Sequence, residues 1–422
     1  MKNNKIFIKL IALLTIISII ILFNCNMPID DYHNNDKNNN ENNFQNTKKV
    51  YLDEYNRLIV DGKPFFPIGL YGVKTGDLKK VADYGFNFVI EDINEVRPFL
   101  SDRNYGISEL EYLDEVNKYG LKSWLLLTEL KKLENGTLSW SDYEKEINMI
   151  KDHPALLFYE IIDEPENNIK EAYAQPCFLN SINQKIKNID PGHPTVLSNY
   201  ISVMTYGLIN LYTQITDIYM MNIYPIHLDP SLGTASWVGT SIDLAKEKTG
   251  SQAIWTTLQG YGNIDHENRK DKFPTREEIR YMTYLAIAHG SQGIFFFRWV
   301  SDPGDQTAQN QALHDEIIKL GGELNYLSPV LLSTSTIYNA TLSDNPDIEI
   351  MIKKYEDKSY IFALYKNENL PENALVNVKF NVSWANLSIK ALFRNKEIKS
   401  NPDGFSDEFR KYSVHIYEVI DN

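Results

Sequence analysis

The sequence predicts a (β/α)8 barrel followed by a small antiparallel β-sandwich, and three observations carry that expectation. First, eight short apolar runs alternate with helix-like segments between about residues 50 and 300. Second, these runs are continuously apolar, as strands buried on both faces of a parallel sheet must be, and the stretch has the length such a barrel needs. Third, beyond residue 327 the chain turns to short strand-like runs split by turns, without a helical period. A doubly wound open sheet is the structural rival. It would carry a glycine-rich phosphate loop after its first strand, where this chain reads Gly69-Leu70-Tyr71-Gly72.

Taken in order, the barrel strands are expected at 64–71, 86–91, 121–129, 156–162, 195–199, 217–224, 254–259 and 293–299. The intervening helices show apolar residues at helical spacing. Leu110, Leu113 and Val116 mark one that Gly120 ends. Tyr143, Ile147 and Ile150 mark another, with Ser141 and Glu144 as its capping box. Leu179, Ile182, Ile186 and Ile189 mark a third, and Thr275 with Glu278 boxes the start of a helix that reaches about Ala288. The sandwich strands are expected at 348–352, 360–365, 374–382, 388–393 and 412–419. The barrel is assigned to residues 50–326 and the sandwich to 327–422.

The first 49 residues read differently. Lys2, Lys5 and Lys9 give the chain a basic start, and residues 6–23 are otherwise almost wholly apolar, the pattern of an export signal over 1–24. A transmembrane anchor is the alternative, since the run approaches the ~20 residues a span needs. Leu22-Phe23-Asn24-Cys25 resembles a bacterial lipobox, which implies lipidation at Cys25 and attachment to a membrane at the cell surface or in the periplasm. Residues 25–49 are rich in Asn and nearly free of apolar side chains, so they are expected as a disordered tether. The other cysteine, Cys177, is expected as a buried thiol in a helix.

The 422-residue chain carries a formal charge of -14, which argues against nucleic acid as its partner. No nucleotide loop, His-Glu-x-x-His or cysteine cluster is present, so neither a cofactor nor a metal is expected. Tyr, Phe and Trp make up 12% of the chain. Aromatic faces pack cores, and they also cover the CH faces of sugar rings.

In a (β/α)8 barrel the active site forms at the C-terminal ends of the strands. Strand four is the most informative, because Glu160, Asp163 and Glu164 crowd a strand that should be buried. A buried carboxyl needs a partner or a shifted pKa, and one held protonated near neutral pH can protonate a glycosidic oxygen. Glu164 is the candidate acid/base, and Glu160, deeper in the strand, is expected as scaffolding.

The segment His153-Pro154-Ala155-Leu156-Leu157-Phe158-Tyr159-Glu160-Ile161-Ile162-Asp163-Glu164-Pro165 resembles the strand-four signature of clan A glycoside hydrolases. So do residues 61–69 on strand one, Asn222-Ile223-Tyr224-Pro225 on strand six, and Trp299 on strand eight. The resemblance implies that Glu164 is the acid/base, that Asp163 stands where an Asn usually bonds the sugar 2-hydroxyl, and that Trp299 stacks on sugar. Asn222, Tyr224, Tyr71 and Tyr261 are further candidates for substrate contact at strand ends, and Arg298 for pairing with the strand-end acids. His227 is a weaker candidate, as a lone histidine.

One position departs from the clan. Its retaining members carry a nucleophilic Glu at the end of strand seven, and here Gln259 stands there. Three readings follow. Another carboxylate, such as Glu129, Glu91 or Asp265, activates water. Alternatively, a neighbouring group on the substrate acts as nucleophile, with Gln259 orienting it. The third reading is a barrel that binds glycans without cleaving them. The function expected is hydrolysis of an extracellular oligo- or polysaccharide. The alternatives are a glycan-binding surface lipoprotein and a metal-dependent barrel hydrolase of non-glycosidic bonds.

Overall fold

The computed structural model describes residues 50–101, 105–201, 208–262, 265–266, 269–299, 311–381, 387–401 and 403–421. The expected signal segment, Cys25 and the tether lie outside the described residues.

Eight parallel strands form one sheet: β1 (Ile68–Val73), β2 (Phe88–Glu91), β3 (Ser123–Leu126), β4 (Leu156–Asp163), β5 (Thr195–Ile201), β6 (Ile218–Ile223), β7 (Ala253–Gln259) and β8 (Ile294–Phe297). The order runs β2-β1-β8-β7-β6-β5-β4-β3. The two ends meet where Val89 N donates to Lys122 O at 2.9 Å and Lys122 N to Asn87 O at 3.0 Å. The sheet is therefore a closed barrel.

Aromatic rings fill its interior. Phe88 stacks on Phe158 at 5.1 Å and Trp255 on Phe295 at 5.6 Å. Gly69 makes room for this layer, because a Cβ there would lie 2.2 Å from Phe295 Cδ1. A three-stranded antiparallel ribbon (Val50–Leu52, Leu58–Val60, Lys63–Phe65) precedes β1, and its Val50, Leu58 and Val60 join the inner core. The apolar run at 64–71 therefore holds two strands, the last of this ribbon and β1, rather than one.

Outside the strands lie α1 (Leu78–Asp83), α2 (Glu109–Lys118), α3 (Trp140–Ile150), α4 (Pro176–Ile189), α5 (Ile209–Tyr212), α6 (Trp237–Thr249), α7 (Arg276–Ala288) and α8 (Gln311–Leu331). The expected stripe of α3 is buried, and the Thr275–Glu278 box caps α7. The cap of α3 is corrected: Ser139 and Asp142 form the box, because the helix begins earlier than Ser141. Cys177 lies in the first turn of α4, half-buried rather than buried, and is disulfide-bonded rather than a thiol.

Helix α8 runs past residue 326, so the barrel ends near Leu331. The sandwich contains β9 (Ile348–Tyr355), β10 (Lys358–Tyr365), β11 (Val376–Phe380), β12 (Leu387–Leu392), β13 (Gly404–Phe409) and β14 (Val414–Asp421). One sheet orders β9-β10-β14-β12 behind a short Thr336–Ile337 strand, and the other orders β11-β13 with Ser400–Asn401. β13 was not foreseen. Its burial alternates, with Ser406 and Glu408 exposed between buried neighbours, so it carries no continuous apolar run.

Candidate active site

The acidic strand β4 delivers its carboxyls to the mouth of the barrel. Glu160 is 0% exposed and accepts a hydrogen bond from Ser198 Oγ on β5. Successive side chains of a strand point to opposite faces, so Asp163 and Glu164 would diverge in extended backbone. They do not, because Glu164 takes a left-handed conformation (φ 50, ψ 55) that ends the strand before Pro165. Its amide stays tied to Ser198 O at 2.8 Å. Asn222 Nδ2, at the end of β6, then donates to Asp163 Oδ1 and Glu164 Oε1, each at 3.1 Å. Asn167 Nδ2 holds the other Glu164 oxygen at 2.8 Å. Behind this pair Glu166 is buried and accepts from Asn199 Nδ2 at 2.8 Å and from the Tyr200 amide.

These acids raise one another. Burial pushes the Glu160 carboxyl well up, and the charge of Asp163 adds to it. Asp163 keeps its own face open to solvent but is crowded by protein on the others. That desolvation, then the neighbouring Glu164 charge, push it up to about 7, against the opposing hydrogen bond from Asn222. Burial likewise raises Glu166 and, at the end of β2, Glu91. Glu91 accepts from Trp124 Nε1 at 3.0 Å and acts electrostatically on Glu160, which places it at the same mouth.

Aromatic side chains wall the site. Phe297 at the end of β8 lies 5.6 Å from Tyr71, 5.9 Å from Tyr224 and 5.6 Å from Tyr261, ring centre to ring centre. Tyr71, Tyr224 and Tyr261 all feel the Glu164 charge. Tyr261 also interacts with Asp271, whose Oδ1 meets His227 Nδ1 at 2.8 Å. His227 thus supports the wall from behind.

Three expected residues take different places. Trp299 is 3% exposed and turns away from the mouth, with Nε1 on Asp77 at 3.0 Å and its ring against His314. Phe297, two residues earlier on the inward face of β8, stands where the stacking ring was expected. Gln259 is 0% exposed and spends its carboxamide on backbone. Its Oε1 accepts from Ile226 N at 2.8 Å, and its Nε2 donates to Ile226 O, Tyr261 O and Lys272 O. It pins the loops after β6 and β7 and has no oxygen left for a sugar. Glu129 sits in the loop after β3, paired with Lys132 at 3.4 Å, outside the network that joins Asp163, Glu164 and Asn222. The Asp265 side chain lies outside the described residues. Arg298 lies over Gly72, where a Cβ would come within 3.8 Å of its own.

Neither Phe297 nor Trp124 is singled out in the sequence, whereas Glu91 is one of its candidate second carboxylates. The two-residue period through Phe295 and Phe297 was the available signal for the first. Among the described residues, no three His, Cys, Asp or Glu side chains are grouped to hold a metal ion.

No family model matches the sequence, and no curated protein is recognisably similar to it in sequence. Solved structures are. A glycoside hydrolase shares 14% identity at a TM-score of 0.58, over 89% of this chain and 97% of its own. A family 5 glycoside hydrolase from Bacteroides vulgatus shares 14% at 0.56, over 90% and 94%. A family 39 glycoside hydrolase from Bacteroides cellulosilyticus shares 11% at 0.53, over 88% and 86%. The chain has the fold of the clan A glycoside hydrolases. The likeness extends through the sandwich, since it spans most of both chains. At such identity it speaks for the fold alone, and the chemistry rests on the side chains at the mouth.

Proposed function

We propose that the protein hydrolyses glycosidic bonds of an oligo- or polysaccharide outside the cell, with Glu164 as the general acid/base. The observation that carries this reading is the pairing of Asp163 with Glu164 on the Asn222 amide, at a mouth walled by Tyr71, Tyr224, Tyr261 and Phe297. Two carboxyls this close share protons as a unit. With Asp163 pushed up by desolvation and by the Glu164 charge, the pair holds a proton more tightly than a lone carboxyl does. That proton is what a departing sugar oxygen needs. Phe297, the half-buried ring among them, offers flat apolar surface to a pyranose.

The second reading is glycan binding without cleavage. It is favoured by the seclusion of Gln259, which leaves the end of β7 without a carboxylate. Glu164→Gln separates the two. The hydrolase reading expects hydrolysis to be lost and glycan binding kept. Full turnover by that variant would remove Glu164 from the acid role, and binding without turnover by wild type would establish the second reading.

Export and lipid anchoring at Cys25 complete the proposal, with residues 26–49 holding the barrel off the membrane. Cys25→Ala is expected to move the protein from the membrane fraction to the soluble one. An unchanged membrane fraction would point to an uncleaved apolar span.

A further inference from the structure

A glycosidase needs a nucleophile as well as an acid, and β7 supplies none: Gln259 is spent on backbone. The next described carboxylate beyond β7, Asp271, is fully buried and held by His227. The carboxyl placed beside Glu164 comes instead from its own strand. Asp163 and Glu164 grip one nitrogen, so they approach a sugar from the same side. This arrangement suits two adjacent positions of one ring better than two opposite faces of one carbon. A further feature points to a ligand: Asn222 is 3% exposed, yet its Oδ1 has no hydrogen-bond partner among the described residues. A buried acceptor without a donor among the described residues thus stands beside the pair.

We propose that the substrate carries the nucleophile: the protein cleaves 1,2-trans glycosides of 2-acetamido-2-deoxy sugars, and Asp163 binds the acetamido N–H. This rests on the hydrolase reading. The acetamido N–H, donated to Asp163, favours its ionised form and leaves the shared proton on Glu164, beside the glycosidic oxygen. The acetamido carbonyl oxygen attacks C1. The bond from C1 to the leaving oxygen breaks, and that oxygen takes the Glu164 proton. The cyclic oxazolinium ion that results has its positive charge next to the Asp163 carboxylate. Water then attacks C1 and gives a proton to Glu164. The ring-closing C–O bond breaks, the acetamide is restored, and the configuration at C1 is retained. The 1,2-trans requirement follows because the carbonyl must enter opposite the leaving group. Tyr224 and Tyr71, both acted on by the Asp163 and Glu164 charges, border the same space.

The test uses the full chain with 4-nitrophenyl 2-acetamido-2-deoxy-β-glucoside and the 4-methylumbelliferyl glycoside of di-N-acetylchitobiose. The matching glucoside and cellobioside lack the acetamide. Turnover of the acetamido series only is expected. Replacing acetyl by trifluoroacetyl weakens the carbonyl nucleophile, so kcat should fall steeply with KM little changed, a readout that needs no variant. Asp163→Asn should lower kcat by about 10²–10³-fold, the usual cost of one charge-stabilising contact. It should also weaken binding of the thiazoline analogue of the cyclic ion without a loss of Tm. Equal turnover of glucoside and acetamido-glucoside, still abolished by Glu164→Gln, would overturn this inference and leave the hydrolase reading standing. So would loss of acetamido turnover in Glu91→Gln, which would make Glu91 the second carboxylate. Binding of both series with turnover of neither would remove the hydrolase reading itself.

Discussion

At the scale of the residue, Asn222 is the hinge of the site. Its amide favours the ionised form of Asp163. Removing it in Asn222→Ala should raise that carboxyl further and move the limb of the pH–rate profile near pH 7 to higher pH. A limb that stays in place would show that the amide does not set the titration. Away from the mouth, Glu146 is 3% exposed on α3, and burial pushes it up to about 7, with Glu109 of α2 as its hydrogen-bonded neighbour. In an unfolded chain its pKa would be near the ordinary ~4.3. A carboxyl raised on folding contributes stability at acid pH that is lost as pH rises through its folded value. Tm should therefore fall between pH 5 and 8, and Glu146→Gln should flatten that fall by raising Tm at pH 8 with little change at pH 5. A fall of undiminished size in the variant would assign it to other groups. Glu164 was legible as a residue because three acids in a buried strand are costly without a purpose. Its partner was not. Asp163 and Glu164 meet only because of one left-handed residue and an asparagine 58 positions away along the chain, and neither leaves a mark in local composition.

At the scale of the element, hydrophobic period was the dependable signal. The two-face burial of β4 through β8 made each strand readable to within a residue or two. Ends were less readable, because several nearby residues can serve as a cap. Ser139 and Ser141 both offer a hydroxyl ahead of α3, and the first turn of the helix decided for Ser139. The stacking residue of β8 was misplaced for a related reason. Trp299 matches a motif by type, but the strand's alternation points Phe297 inward, and Trp299 lies beyond the strand end against α8. Two substitutions probe elements directly. Thr275→Ala should cost about 1 kcal/mol in urea unfolding, through loss of the α7 cap. Gly69→Ala should cost more, about 1–3 kcal/mol, as an overpacked barrel core. Its Cβ would run into the Phe295 ring, which is itself wedged against Phe88 and Trp255. A neutral Gly69→Ala would mean that the ring can move aside.

At the scale of the molecule, barrel and sandwich share one buried core. Tyr360, Phe362 and Leu364 of β10 and Val414 and Ile416 of β14 belong to the same apolar cluster as α7 and α8. Tyr281 of α7 packs on Tyr412 at 5.2 Å and Tyr284 on Phe362 at 6.2 Å. Heat should therefore unfold both parts in one calorimetric transition, and a chain ending at residue 333 should not form a stable barrel. Two separated transitions would show that the domains are energetically independent. The shared core also explains why the sequence boundary fell short. Texture changes near residue 327, but α8 continues to Leu331 because its last turn is buried under the sandwich.

Leaving-group dependence tests most directly whether Glu164 protonates the leaving oxygen of a glycoside. The measurement compares wild type and Glu164→Gln on 4-methylumbelliferyl di-N-acetylchitobioside and on unactivated tetra-N-acetylchitotetraose. A missing acid hurts most where the leaving group is poorest. The variant should lose far more activity on the tetrasaccharide than on the umbelliferyl glycoside. Equal losses on both, or none on either, would contradict the assignment of Glu164 as the acid.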